Sequence, residues 1–196
     1  MDIKAFKMDG LGNDFVIIDN RQGIIKLSKE QIIKICDRNF IGCDQLILIE
    51  KNSSSDASLK FYNSDGGESG ACGNGTRCVA DLISKEKNSK TIILTTLSGN
   101  LKSEILGNNL VTTEIGNAKI KWNEIPLSSE LNTKNLNIKI SDQNNKKYSG
   151  GTAACATAFA GLINKLTGNN TDIEFETGKL SIFIDKKNSI HMKGPV

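Results

Sequence analysis

The segment Asn63-Ser-Asp-Gly-Gly-Glu-Ser-Gly-Ala-Cys-Gly-Asn-Gly-Thr-Arg-Cys78 places five glycines in sixteen positions and ends where a helical pattern begins. Glycine lets backbone amides turn inward toward a ligand, and the first turn of a helix carries unpaired N–H groups and a partial positive charge. Such a loop binds anions, and a thiol at its end is expected to have a lowered pKa, because the helix terminus favours the thiolate. Cys72 is therefore the candidate nucleophile or proton-transferring group. A free cysteine more often packs as a small hydrophobe, and that is the reading for Cys78, further along the helix beside Val79.

The loop lacks the Gly-Lys-Ser/Thr of a P-loop and does not match GxGxxG with a later acidic residue, so nucleotide phosphate is disfavoured. A Cys–His hydrolase needs a histidine base. His191 is the one histidine in the chain and falls in an alternating strand near the C-terminus, where a structural role is expected. The remaining chemistry for a thiolate without histidine is proton abstraction from carbon, with a second acid to donate on the opposite face. Asn13, Gln45, Asn63 and Asn74 would suit a zwitterionic amino acid, although each type is individually common in turns and on surfaces.

The five cysteines, Cys36, Cys43, Cys72, Cys78 and Cys155, are odd in number and show no CxxC spacing, so no metal site is expected and free thiols in a reducing compartment are. Twenty-five basic against twenty-two acidic side chains leave a net charge of +3, with the signs mixed along the chain. Nucleic acid is not implied. No apolar run approaches the length of a membrane span, and the start lacks the core of a signal peptide. A cytoplasmic protein with no membrane partner is the expectation.

The elements that must position these residues follow from periodicity. Ile3 to Met8 and Phe15 to Ile18 read as strands around the turn Asp9-Gly-Leu-Gly-Asn-Asp14, an economical hairpin. Ser28-Lys-Glu-Gln31 is a capping box for a helix carrying Ile32, Ile33, Ile35 and Cys36 and ending near Arg38 to Gly42. Gln45 to Glu50 and Ser58 to Tyr62 are short strands. From Gly75 the spacing of Val79, Leu82 and Ile83 predicts a helix. Thr91 to Thr96, Leu101 to Leu106 and Leu110 to Ile115 are strands, with a turn at Gly107-Asn-Asn109.

A polar stretch around Gly116 to Lys134 marks the expected boundary between residues 1–116 and 117–196. Beyond it, Leu136 to Ile140 reads as a strand and Thr152 to Leu166 as a small-residue helix. Asp172 to Glu176, Leu180 to Asp185 and Ile190 to Lys193 are three more short strands. The run from Cys72 to Ala80 is weakly like that from Gly150 to Ala158, which raises an internal duplication as a possibility to test.

Four ordered motifs carry a resemblance. Phe6-Lys-Met-Asp-Gly-Leu-Gly-Asn-Asp-Phe-Val-Ile-Ile-Asp19, Gly42-Cys-Asp-Gln-Leu46, Tyr62-Asn-Ser-Asp-Gly66 and Ala71-Cys-Gly-Asn-Gly-Thr-Arg-Cys78 resemble the diaminopimelate epimerase family. The resemblance implies interconversion of LL- and meso-diaminopimelate in lysine and cell-wall precursor synthesis, by two cysteines and without pyridoxal phosphate, metal or other cofactor. It implies a catalytic Cys72, substrate contacts from Asn13, Gln45 and Asn63, and a substrate carboxylate held by the backbone of Gly73 and Asn74. It implies an α+β fold of two pseudo-symmetric domains, each a curled, mostly antiparallel sheet around a central helix, and a homodimer.

The second half resembles the family less completely, through Ala154-Cys-Ala-Thr-Ala158 and Ile190-His-Met-Lys-Gly-Pro195. Absent are an Asn-Pro-His segment, a Glu-Arg-Gly segment and the Ala-Cys-Gly-Thr motif of the second catalytic cysteine, so the second domain is expected to be incomplete. Placed on that last motif, Gly151 and Thr152 become substrate-binding residues and the second cysteine falls on Gly150. Alternatively, Gly150-Gly-Thr-Ala153 belongs to a strand preceding the absent stretch. An isomerase acting on proline or hydroxyproline, and an inactive amino-acid-binding remnant, are the competing functions.

Overall fold

The computed structural model of the protein describes residues 3–124 and 150–196. The opening apolar stretches pair as β1 (Ala5–Asp9) and β2 (Asp14–Asp19), an antiparallel hairpin running from Ala5 opposite Ile18 to Asp9 opposite Asp14. At its tip Leu11 has a φ of 64° and Gly12 one of 80°. Leu11 is buried, not beneath its own hairpin but in the cluster formed with Ala154, Cys155 and Ala158 in the second half of the chain. The left-handed backbone costs a leucine about 1–3 kcal/mol, and burial of the side chain contributes a comparable ~1.5–3 kcal/mol in return.

The capping box forms: Ser28 Oγ accepts from the Gln31 N–H at 3.3 Å and Gln31 Oε1 accepts from the Ser28 N–H at 2.8 Å. The helix it opens, α1 (Lys29–Cys36), closes earlier than the sequence suggests, because Asp37 turns to extended backbone. β3 (Gln45–Glu50) runs parallel to β2, and β4 (Ala57–Asn63) antiparallel to β3. Phe15, Ile17, Ile47 and Ile49 join one core cluster, while Val16, Ile18, Leu46 and Leu48 join another with Ile32 and Cys36 of α1. Burial on both faces explains why these strands read as continuous apolar runs.

Within the Gly-rich loop a two-residue strand, β5 (Glu68–Ser69), pairs with β4; its composition gave no sign of it. The central helix α2 (Gly73–Lys87) begins two residues earlier than Gly75, with Cys72 as its N-cap, and ends on Asn88 in the left-handed conformation with φ 50°. β6 (Thr91–Thr96), β7 (Gly99–Gly107) and β8 (Leu110–Asn117) follow. Asn108 and Asn109 both have positive φ, the requirement of the tight hairpin turn expected there.

In the second half α3 (Gly151–Ile163) is followed by β9 (Asn170–Phe175), β10 (Gly178–Ile184) and β11 (Ser189–Pro195). The alternative that put Gly150-Gly-Thr-Ala153 in a strand is corrected here. Residues 151–153 are the first turn of α3, and Gly150 is its N-cap. The helix stops short of Leu166, with Lys165 turning left-handed at φ 57°. The expected strand Leu136 to Ile140 and most of the polar connection lie outside the described residues.

The strands form one mixed sheet in the order β1-β2-β3-β4-β6-β7-β8-β11-β10-β9, with β5 beside β4. All pairs are antiparallel except β2 with β3 and β4 with β6. The sheet is continuous through β8 and β11, which pair from Ser189 opposite Asn117 to Pro195 opposite Leu110. Two main cores lie on either side of that junction. One packs Cys78, Val79, Ala80 and Ile83 of α2 against the first strands, and the other packs Ala154, Cys155, Ala158 and Phe159 of α3 against Leu180, Ile182, Ile184 and Met192. The class is α+β, and the expected division at residue 116 falls near the end of β8. No described helix is long and apolar enough to cross a membrane.

Candidate active site

The topology brings the N-termini of α2 and α3 to one place. Gly73 and Gly151 flank Met192 of β11: a Cβ on Gly73 would come within 2.4 Å of the Met192 methyl, and one on Gly151 within 2.9 Å of its sulfur. Glycine at both positions permits this approach of two helix ends to one strand. Between them opens a cavity of about 660 Å³ lined by Gly12, Asn13, Asp44, Gln45, Asn63, Ser64, Ala71, Cys72, Gly73, Asn74, Gly150, Gly151 and Thr152. Every residue singled out from the sequence as a candidate for catalysis or substrate binding lies on this lining.

Cys72 caps α2 through its carbonyl, which accepts from the Thr76 N–H and the Thr76 hydroxyl, both at 2.8 Å. Its side chain forms no capping bond, and Sγ instead lies 3.7 Å from Asn13 Oδ1. The expected lowering of its pKa is not what the surroundings produce. Burial pushes the thiol up and outweighs the opposing pull of the Gly75 and Asn74 amides and of the Arg77 guanidinium, while Asp44 adds to the upward push. The helix end acts as anticipated, but the loss of water is the larger effect.

Asn13 is held on both sides of its amide. Its Nδ2 donates to Asp44 Oδ2 at 3.0 Å, and its Oδ1 accepts from Asn74 Nδ2 at 3.3 Å. Asp44 is itself fixed: Oδ2 accepts from the Asp14 N–H at 3.1 Å and Oδ1 from Arg38 Nη2 at 2.7 Å. Arg38 also grips Asp14 with both terminal nitrogens, at 2.6 and 2.7 Å, and Lys7 adds a further bond to the same carboxylate. Against the opposing effect of partial burial, the bonds from Arg38 and Lys7 hold Asp14 well below the usual carboxylate range. Asp44, Asp14 and Arg38 thus buttress Asn13, a role no local pattern in the sequence reveals.

Gln45 and Asn63 are cross-strand partners in β3 and β4, and Gln45 Nε2 donates to Asn63 Oδ1 at 2.8 Å. Gln45 Oε1 is buried without a hydrogen-bond partner among the described residues, leaving an acceptor in the cavity wall. The other thiols are placed elsewhere. Cys36 and Cys43 lie 3.4 Å apart, sulfur to sulfur, beneath α1. Burial pushes Cys78 to about 12 and Cys155 to about 11, and neither lines the cavity. His191 lies outside the cavity too, its ring 5.6 Å from that of Phe183 and Nε2 3.9 Å from Asp185.

The mixed sheet with its two convergent helices is a fold also found in solved structures described as epimerases. A protein described as a predicted epimerase from Pseudomonas aeruginosa superposes with a TM-score of 0.72 at 10% identity, covering 99% of this chain and 96% of that one. A hydroxyproline epimerase from Agrobacterium vitis gives 0.61 at 10% identity over 98% and 89%. At such identities the likeness concerns the fold alone.

Sequence narrows the class. The family model for Diaminopimelate epimerase matches residues 5–121. A diaminopimelate epimerase of Pelagibacter ubique (strain HTCC1062) is 51% identical over 264 aligned positions, covering all of this chain and 96% of that protein. That of Phenylobacterium zucineum (strain HLK1) is 41% identical over 67% of this chain and 48% of its own length. The chain belongs to the diaminopimelate epimerase family. Because the Pelagibacter alignment spans 264 positions and the chain has 196 residues, it bridges a long internal gap in this chain.

Proposed function

We propose that this chain acts on diaminopimelate, moving the α-proton of the amino acid on and off carbon through Cys72. The observation that carries this reading is the convergence of Cys72, Asn13, Gln45, Asn63 and Asn74 on one cavity beside two helix N-termini, in a chain of that family. The substrate carboxylate is received by the amides of Gly73 and Asn74, where the α2 terminus favours negative charge, with Gly151 and Thr152 at the α3 terminus facing it. The open acceptor of Gln45 and the amide of Asn63 take the donor groups of the substrate.

As a thiolate, Cys72 accepts the α-proton, and the C–H electron pair stays on carbon, delocalised toward the adjoining carboxylate. The resulting thiol returns a proton to the same face, after exchange with solvent. Inversion needs a donor on the opposite face. There the N-cap of α3 is Gly150, in the place that Cys72 holds at α2, so that exchange outpaces inversion in this chain. The family also supports a place in lysine biosynthesis, a cytoplasmic location and a homodimer.

Proton NMR in deuterium oxide tests the proposal. Loss of the α-proton signal of diaminopimelate, with the LL to meso ratio changing more slowly, is the expected result, and proline and hydroxyproline should remain unlabelled. Faster labelling of proline would move the assignment to the proline-type isomerases. Tight binding with no labelling would make the chain an amino-acid-binding remnant.

A further inference from the structure

Arg77 is fully buried in α2, yet among the described residues none of its bonds goes to a carboxylate. Nη1 donates to Asn74 Oδ1 at 3.1 Å, Nη2 to the Pro195 carbonyl at 3.5 Å, and Nε has no partner among the described residues. β11 lies tight against it, since a Cβ on Gly194 would come within 3.1 Å of Nη2. A buried cation without a counterion is costly, and a buried unpartnered donor calls for a cause. Among the described residues, the groups that can carry negative charge and act on it are thiols: Cys78 beside it on α2, Cys72 at the N-cap and Cys155 on α3. Cys78 and Cys155 are packed in the two cores. Cys72 alone opens on the cavity.

A chain of bonds also leads from Arg77 to that thiol. Arg77 Nη1 fixes the Asn74 amide by its oxygen, Asn74 Nδ2 then donates to Asn13 Oδ1, and the same oxygen faces Cys72 Sγ. We propose that Arg77 is the positioning residue of the reactive thiol, orienting Cys72 through Asn74 and Asn13 and serving as its counter-charge when the proton has left. The two effects serve the two halves of the proton cycle: Asn13 directs the S–H, and the guanidinium favours the thiolate. Asp44, held by Asn13 and Arg38 at the entrance to β3, opposes the second effect from across the cavity. The inference deepens the reading of Cys72 as the proton-transferring group.

The test is the pH dependence of iodoacetamide alkylation at Cys72, read by peptide mass spectrometry, in the wild type and in R77M, R77Q and R77K. R77M should raise the midpoint by about one pH unit, a tenfold lower alkylation rate near neutrality, and R77K by less than half as much. Should R77M fail to give a cooperative melt, R77Q, neutral but still able to donate to Asn74 and Pro195, is read in its place with the same expected shift. A purely structural role would lower the melting temperature and leave the midpoint unmoved. An unmoved midpoint, or an equal shift in R77K and the neutral variant, would overturn the proposal. The assay contains no substrate, so a failure of diaminopimelate exchange would count against the proposed function and not against Arg77.

Discussion

Cys72 lies where two opposing influences meet. The amides of Asn74 and Gly75 and the Arg77 charge favour the thiolate, and burial disfavours it more strongly, so the thiol stands above its ordinary pKa. The sign of the pH dependence follows. A base whose pKa is raised is mostly protonated at neutrality, and the active fraction grows as the pH climbs. The rate of α-proton exchange should therefore rise steadily from about pH 7 to about pH 9, with no plateau near neutrality, in initial rates followed by NMR. A plateau already reached at about pH 7 would mean that the helix end and Arg77 outweigh burial after all.

At this scale the thiol and its loop were legible because both signals are local: glycines give the loop its conformation, and Val79, Leu82 and Ile83 announce the helix that follows. Asp44 and Arg77 were not legible. Asp44 acts through Asn13, thirty-one residues away in sequence, and Arg77 through Asn74 and a carbonyl at the far end of the chain. Such roles are created by tertiary contact and leave no periodic trace.

At the scale of elements, the β1–β2 hairpin couples the site to the second half. Its tip residue Leu11 is buried against α3, its carbonyl accepts from the Thr177 hydroxyl at 3.0 Å, and Asn13 follows two residues later. Leu11→Ala should cost about 2–4 kcal/mol in urea unfolding and should weaken substrate binding by releasing Asn13, although Leu11 does not line the cavity. A loss of stability below about 0.5 kcal/mol would show that the tip is not anchored there. The hairpin and the capping box at Ser28 could be read from the sequence, since turn and cap chemistry are local. The destination of Leu11 could not, because a leucine inside Gly-Leu-Gly carries no mark of which core receives it.

For the molecule as a whole, the decisive feature is the pairing of two helix N-caps across one cavity, with a thiol on Cys72 and only hydrogen on Gly150. The faint likeness between the segments from Cys72 and from Gly150 corresponds to these two helix starts. Small residues alone could not distinguish a helix start from a strand at Gly150, and packing against Met192 and the α3 core decides it. Gly150→Cys supplies a thiol at the second N-cap, and inversion relative to exchange should rise by about 10²-fold, measured as the change in LL to meso ratio per deuterium incorporated. No change in that ratio would mean that the second helix end does not reach the opposite face of the substrate.

Transfer of the α-proton by Cys72 underlies every step proposed above. Deuterium incorporation into diaminopimelate, compared between the wild type and Cys72→Ser at equal folded concentration, tests this. The wild type should label the α-carbon and the variant should label it at least about 100-fold more slowly, since a serine hydroxyl is far too weakly acidic to supply the base. Labelling at the wild-type rate by the serine variant would contradict proton transfer by Cys72 and move the chemistry away from the α2 terminus.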